Sequence, residues 1–436
     1  MKNAVIPTGV ILMGLLAMAG WADNAQPVPD RTLTLEDSVR LAINNSQALL
    51  TSHEDVNIAL QRVRESESLF FPKLDLNANM NKFRVQNDTP LMLQPELGPT
   101  LVSNDPHENF YTARADIYQT VYEGGRLQNT WRQARISYER ARSVNESLEL
   151  VVTNAAQEAF YDLLLAQEKN RQYHEIVGKL EALEHPKAGS LHDRIGFESE
   201  LDKLQAEAAD ASLAEQQARL SYLRTLNLEL NTTVLLKGEL VTHPVELDLQ
   251  KMLAWASQYR SELRQTEYQQ ELDALGVSLS LAERTPTVAF GASYERTGTD
   301  VSLPTANWVG TLNVNLPVSI SDMFYGLAKV REHRAEYRQA TLKHAETEDQ
   351  IQMQVRLAFM KYRFWQDELL PREQAWRRLE DMVSPLRQGR GNSFERAEAE
   401  HLLLEARLRY EEAIHGHLTA LAALEGAVGH PLNNEQ

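Results

Sequence analysis

Four stretches of the chain alternate apolar and polar residues with a period of two, the mark of extended strands with two unlike faces. In the first, Leu74, Leu76, Ala78 and Met80 oppose Lys73, Asp75, Asn77, Asn79 and Asn81. In the second, Tyr111, Ala113, Ala115, Ile117 and Val121 oppose Thr112, Arg114, Asp116 and Thr120. The third sets Val288, Phe290, Ala292 and Tyr294 against Thr287, Gly291, Ser293 and Glu295. The fourth sets Trp308, Leu312, Val314 and Leu316 against Asn307, Thr311, Asn313 and Asn315. The pattern predicts strands at about 73–85, 110–122, 287–297 and 307–317, close to the nine to eleven residues that a tilted strand needs to cross a bilayer. Two readings fit: a half-exposed sheet in a soluble domain, or membrane strands. Four strands cannot close a barrel, which takes about eight before its interior is even filled. Membrane strands would therefore have to be pooled between copies, and three copies supply twelve.

Elsewhere the apolar spacing is helical. Between Gly125 and Pro186 lie 60 residues without proline, and between Pro317 and Pro371 lie 53. At about 1.5 Å per residue, 60 residues of helix span roughly 90 Å, far more than a globular domain. The returning stretches, about Gly196 to Leu236 and Gly389 to Val428, are also free of proline and rich in Ala, Leu, Glu, Gln and Arg. Apolar residues at three- and four-residue spacing, such as Leu402, Leu403, Ala406 and Tyr410, suit side-by-side packing of long helices. Gly196 and Gly389 each precede an acidic residue by six positions and are expected to mark the reversals.

The two halves of this pattern are one unit written twice. Ser46–Leu49 corresponds to Arg260–Leu263, and Phe71–Leu74 to Thr285–Val288, both at an offset of 214. Gly196–Asp202 corresponds to Gly389–Glu395 at an offset of 193, the length differences falling in the inter-strand loop and near His185 to Asp193. Changes confined to loops are what a duplication leaves behind. The expected division is a leader at 1–22, one repeat at 23–243 and a second at 244–436.

Composition narrows the picture. Lys2, the apolar stretch Val10–Ala19 and the small residues Gly20 and Ala22 read as a secretory signal, cleaved after Ala22 or after Ala19. No later run of 18 apolar residues exists, so any membrane crossing by the mature chain would be as a β-barrel. The absence of cysteine excludes disulfides and thiol chemistry, and a net charge of −17 disfavours nucleic acid. No His-Glu-x-x-His, Gly-x-Ser-x-Gly or phosphate-loop motif occurs, so no catalytic residue, cofactor or enzymatic activity is expected. His415 and His417 are two apart on a predicted helix and point away from each other, which favours surface or inter-helix roles over a metal site.

The chain resembles the TolC family of outer-membrane channels. The likeness rests on Leu33–Ser38 with Leu41-Ala42, Phe71-Pro72 before the first strand, Val121–Arg126 opening the long helix, Gly196–Asp202 running into Leu204–Ala208, and Gly389–Glu400. The resemblance implies a mainly α chain with a small membrane β portion and an internal repeat. In the implied homotrimer, four strands per protomer form a twelve-stranded barrel in outer-membrane lipid, continuous with a long α-helical barrel through the periplasm. It implies the passive exit duct of a tripartite efflux pump or type I secretion system, with a periplasmic adaptor and an inner-membrane transporter of RND, ABC or MFS type as partners. By the same resemblance Glu395 and Glu398 are pore-constriction candidates, and Gly196, Ser199, Gly389 and Gly391 belong to the tip that meets the adaptor. The alternative is a soluble periplasmic coiled-coil adaptor or scaffold without a pore.

Overall fold

The computed structural model describes residues 31–83, 92–93, 100–101, 108–182, 191–242, 245–316, 320–387 and 392–432. The expected leader and most of the loop between the first two strands lie outside the described residues. In chain order the elements are β1 (Arg31–Leu33), α1 (Leu35–Asn45), α2 (Gln47–Ser68), β2 (Lys73–Phe83), β3 (Met92–Leu93), β4 (Thr100–Leu101), β5 (Glu108–Glu123), α3 (Arg126–Glu181) and α4 (Leu191–Thr225). Then follow β6 (Val234–Leu236), α5 (Leu249–Tyr259), α6 (Ser261–Ala282), β7 (Thr287–Gly298), β8 (Thr305–Asn315), α7 (Ile320–Arg387) and α8 (Ser393–Val428). Two short helices, two long strands and two long helices thus occur twice, and α1, α2 and the start of β2 recur as α5, α6 and the start of β7 at an offset of 214.

The long strands form one antiparallel sheet in the order β2-β5-β7-β8. Its register places like faces together: Leu76 opposite Ala115, Ala115 opposite Tyr294, and Tyr294 opposite Trp308. The polar row beside it runs Asn77, Arg114, Glu295, Asn307. A bulge between Thr120 and Tyr122 changes the expected facing at the end of β5, because Tyr122 rather than Val121 pairs with Val288. A small parallel pair, β1 with β6, brings Leu33 beside Leu236 and was not anticipated from the sequence. Three-residue strands offer too little alternation to be read.

Helix α1 starts with a capping box: the Asp37 backbone N–H donates to Thr34 Oγ1 at 3.2 Å, and the Thr34 N–H to Asp37 Oδ2 at 3.4 Å. Hydrogen bonds from the Thr34 side chain and backbone hold the Asp37 carboxyl below its ordinary value. Around the β1–β6 pair, Leu33, Phe160, Leu163, Tyr222, Leu223 and Val234 bury a core, with the Tyr222 hydroxyl 2.6 Å from Ser38 Oγ. The second copy builds its counterpart from Met252, Ile351, Val355, Tyr362, Leu424 and Val428, and the Tyr362 hydroxyl donates to the Val245 carbonyl at 2.6 Å. Each such fully buried apolar side chain contributes roughly 1.5–3 kcal/mol.

Helix α7 corrects the sequence reading, which ended it at Pro371. It runs to Arg387 through both Pro371 and Pro385. Proline lacks the N–H for one intrahelical bond. Packing against α8 on either side offsets that loss: Leu369 is buried against Ala413 and Ile414, and the Trp376 ring stacks on Tyr410 at 5.8 Å. At about 1.5 Å per residue, the 68 residues of α7 span roughly 100 Å. None of the described helices is long and apolar enough to cross a membrane.

Candidate functional site

Two regions stand out, one at each end of the helices. At the sheet, the apolar face is left largely uncovered by the described residues. Leu76 is 74% exposed and Trp308 is 81% exposed, and Met80, Phe290, Tyr294, Leu312 and Val314 are exposed beside them. An uncovered apolar face on this scale marks an interaction surface. Among the described residues, the two outer strands, β2 and β8, each pair on one side only. They leave rows of backbone donors and acceptors open, ready to pair with another strand.

At the other end the two helical hairpins, α3 with α4 and α7 with α8, lie side by side. The start of α8 is held to the start of α4 by Asn392 Nδ2 donating to Asp193 Oδ1 at 3.3 Å, and by the edge-on contact of the His192 and Phe394 rings. Gly196 sits inside α4, five residues past its start, so the reversal precedes it rather than falling on it. What Gly196 provides is room, since a Cβ there would come within 2.8 Å of the Phe394 ring. Beneath this contact Phe197, Leu201, Leu204, Ala397, Leu404 and Leu408 close a local core. Ser199 is exposed on α4, whereas Gly389 and Gly391 lie outside the described residues.

Glu395 and Glu398 fall in the first two turns of α8. Glu395 has a structural task as well: its N–H donates to Asn392 Oδ1 at 2.7 Å, and its carboxylate accepts from the Asn392 N–H at 3.1 Å. This capping box was legible as Asn-x-x-Glu ahead of an apolar run, a signal the sequence reading passed over. Glu398, one turn further on, shares its side of the helix. Nearby, Arg387 grips Glu400 through two bonds of 2.6 and 2.7 Å, which ties that carboxylate to the end of α7. The histidine pair divides as its spacing requires: His415 Nε2 lies 2.8 Å from Asp162, while His417 is buried beside Thr242 and the Tyr362 ring. Burial holds His417 below the ordinary imidazole value.

Residues 39–230, essentially the first repeat, match the family model described as outer membrane efflux protein. That match spans a little under half of the chain. The chain's fold is shared with solved outer-membrane channels over almost the whole length. The open-state MtrE channel of Neisseria gonorrhoeae superposes with a TM-score of 0.75 at 15% identity, covering 92% of this chain and 90% of that one. The CmeC channel of Campylobacter jejuni gives 0.73 at 15% identity over 92% and 87%. VceC of Vibrio cholerae, an outer membrane protein, gives 0.73 at 14% identity over 92% and 97%. No curated protein matches the chain in sequence.

Proposed function

We propose that three copies of this chain form a passive exit duct through the outer membrane, serving a tripartite efflux pump. The observation that carries this reading is the sheet: four membrane-length strands with two open edges and an uncovered apolar face. Pairing β8 of one copy with β2 of the next satisfies both edges. Three copies close twelve strands into a cylinder whose apolar rows meet lipid and whose Asn, Thr, Arg and Glu rows line water. The helical hairpins, continued from three copies, enclose the periplasmic passage. At its entrance Glu395 and Glu398 supply six carboxylates around one axis, a ring that attracts cations. The exposed Ser199 side of α4, with Gly196, Gly389 and Gly391, forms the tip that a periplasmic adaptor engages, and the adaptor links the duct to an energised inner-membrane transporter.

The test is conductance in planar bilayers with protein extracted from outer membranes. The proposal expects stable, cation-preferring pores, and replacing Glu398 with Gln should lower the cation preference. A protein released by osmotic shock without detergent, forming no pores, would instead support the soluble scaffold. Type I secretion differs only in cargo and partner, and co-purification with an adaptor and its transporter separates the two.

A further inference from the structure

His401 lies near the tip end of α8 and is strongly buried, with 3% of its surface exposed. It occupies the apolar seam of α8, four residues after Ala397, three before Leu404 and seven before Leu408, all buried in the core shared with α4. A polar group in such a seam is costly unless it finds partners. The nearest groups come from the other hairpin: Nδ1 bonds Glu200, while Nε2 lies 3.1 Å from Glu207 without a formed hydrogen bond, both on α4. Glu405 of its own helix stands 3.6 Å from Nε2 and also meets Arg409. Behind Glu207, the Tyr173 hydroxyl of α3 bonds the same carboxylate, and burial together with Glu207 and Glu405 pushes that phenol up to about 12. At the matching position of the first repeat, offset by 193, stands Ala208, and the counterpart of Glu405 is Ser212. The arrangement is therefore peculiar to the second copy.

The chemistry is asymmetric in the proton. An imidazolium has donors on both nitrogens and can satisfy Glu200 and Glu207 together. A neutral imidazole has one donor, so its other nitrogen faces a carboxylate lone pair to lone pair. We propose that His401 is a proton-dependent tie between the two hairpins: doubly protonated it fastens α8 to α4, and on losing one proton it lets them separate. Its residues lie about two to four turns inside the reversal ends, where the walls of the passage must part to open. That consequence rests on the channel reading, whereas the tie itself does not. His401 thus positions the helix that carries Glu395 and Glu398, without itself facing the passage.

Hydrogen exchange on the full-length detergent-purified protein, followed from about pH 5 to 8 and corrected for intrinsic rates, tests the tie. Peptides covering 197–208 and 394–408 should lose protection about tenfold between the acid and the alkaline end of that series, the scale of a lost charge-assisted bond. His401→Leu should abolish the step, and His401→Lys, which keeps a charge facing Glu200 and Glu207, should hold protection independent of pH. Glu200→Gln with Glu207→Gln reads the same tie from the other side should His401→Leu fail to fold. A wild-type profile without a step, or a step that survives in either variant, overturns the proposal. Exchange is read whether or not the protein conducts, so failure to form pores would count against the duct and leave the tie standing.

Discussion

The sheet end and the tip end solve opposite problems. At the helical end the chain packs against itself: Phe197, Leu204 and Ala397 are buried, the start of α8 is capped, and the two hairpins touch through Asn392, Asp193 and Phe394. At the sheet, the same chain leaves Leu76 and Trp308 bare and two strand edges open. The contrast locates where the subunit ends as a physical unit. Its helices are paired side by side within one copy, while its strands leave an apolar face uncovered, which the proposed three-chain barrel would turn toward hydrocarbon.

The two ends can be set apart most severely at the sheet. Leu76→Arg puts a charge on the apolar row, which in the proposed three-copy barrel should cost about 2–4 kcal/mol per copy near the bilayer midplane. The expected outcome is loss of the detergent-resistant oligomer on electrophoresis. Asn77→Arg, one residue away on the other face, should leave that oligomer intact. A core change at the tip is next: Phe197→Ala should cost about 3–5 kcal/mol locally. It should raise hydrogen exchange in 191–208 and 393–408 while leaving the oligomer band unchanged, because the two ends are packed independently. A third, smaller effect is expected from Asn392→Ala, which removes the α8 cap at about 1 kcal/mol and should fray only the first turn of that helix, seen as faster exchange there. The smallest is electrostatic. Glu398→Gln should reduce cation preference without changing stability, whereas Glu395→Ala mixes loss of charge with loss of the cap, so selectivity is better read from Glu398.

The sheet was legible in the sequence because neither a helix nor a loop sustains strict alternation over eleven residues, and the strands expected at 73–85 and 287–297 are found at Lys73–Phe83 and Thr287–Gly298. The long helices were legible from absent prolines and repeated apolar spacing, but the passage of α7 through Pro371 was not. A missing N–H at Pro371 weighs less than the interhelical contacts of Leu369, Trp376 and Tyr410, which no local rule sees. Gly196 was read as a turn because glycine often marks one, yet here it admits the Phe394 ring from a helix 198 residues away. The bulge at Thr120–Tyr122 shifts facing by one residue, which alternation alone places on the wrong side. His401 was passed over among the many polar residues of α8. Its position between Ala397 and Leu404 on the seam was the available signal, but its meaning required Glu200 and Glu207 from the other repeat.

Whether the sheet is shared between copies is read most simply from the mass of the intact complex, measured by native mass spectrometry on protein extracted from outer membranes in detergent. A trimer that dissociates when Leu76→Arg is introduced, with the helical hairpins still folded, is the predicted result. A monomer of unchanged strand content, stable in water without detergent, would contradict a barrel built from three chains.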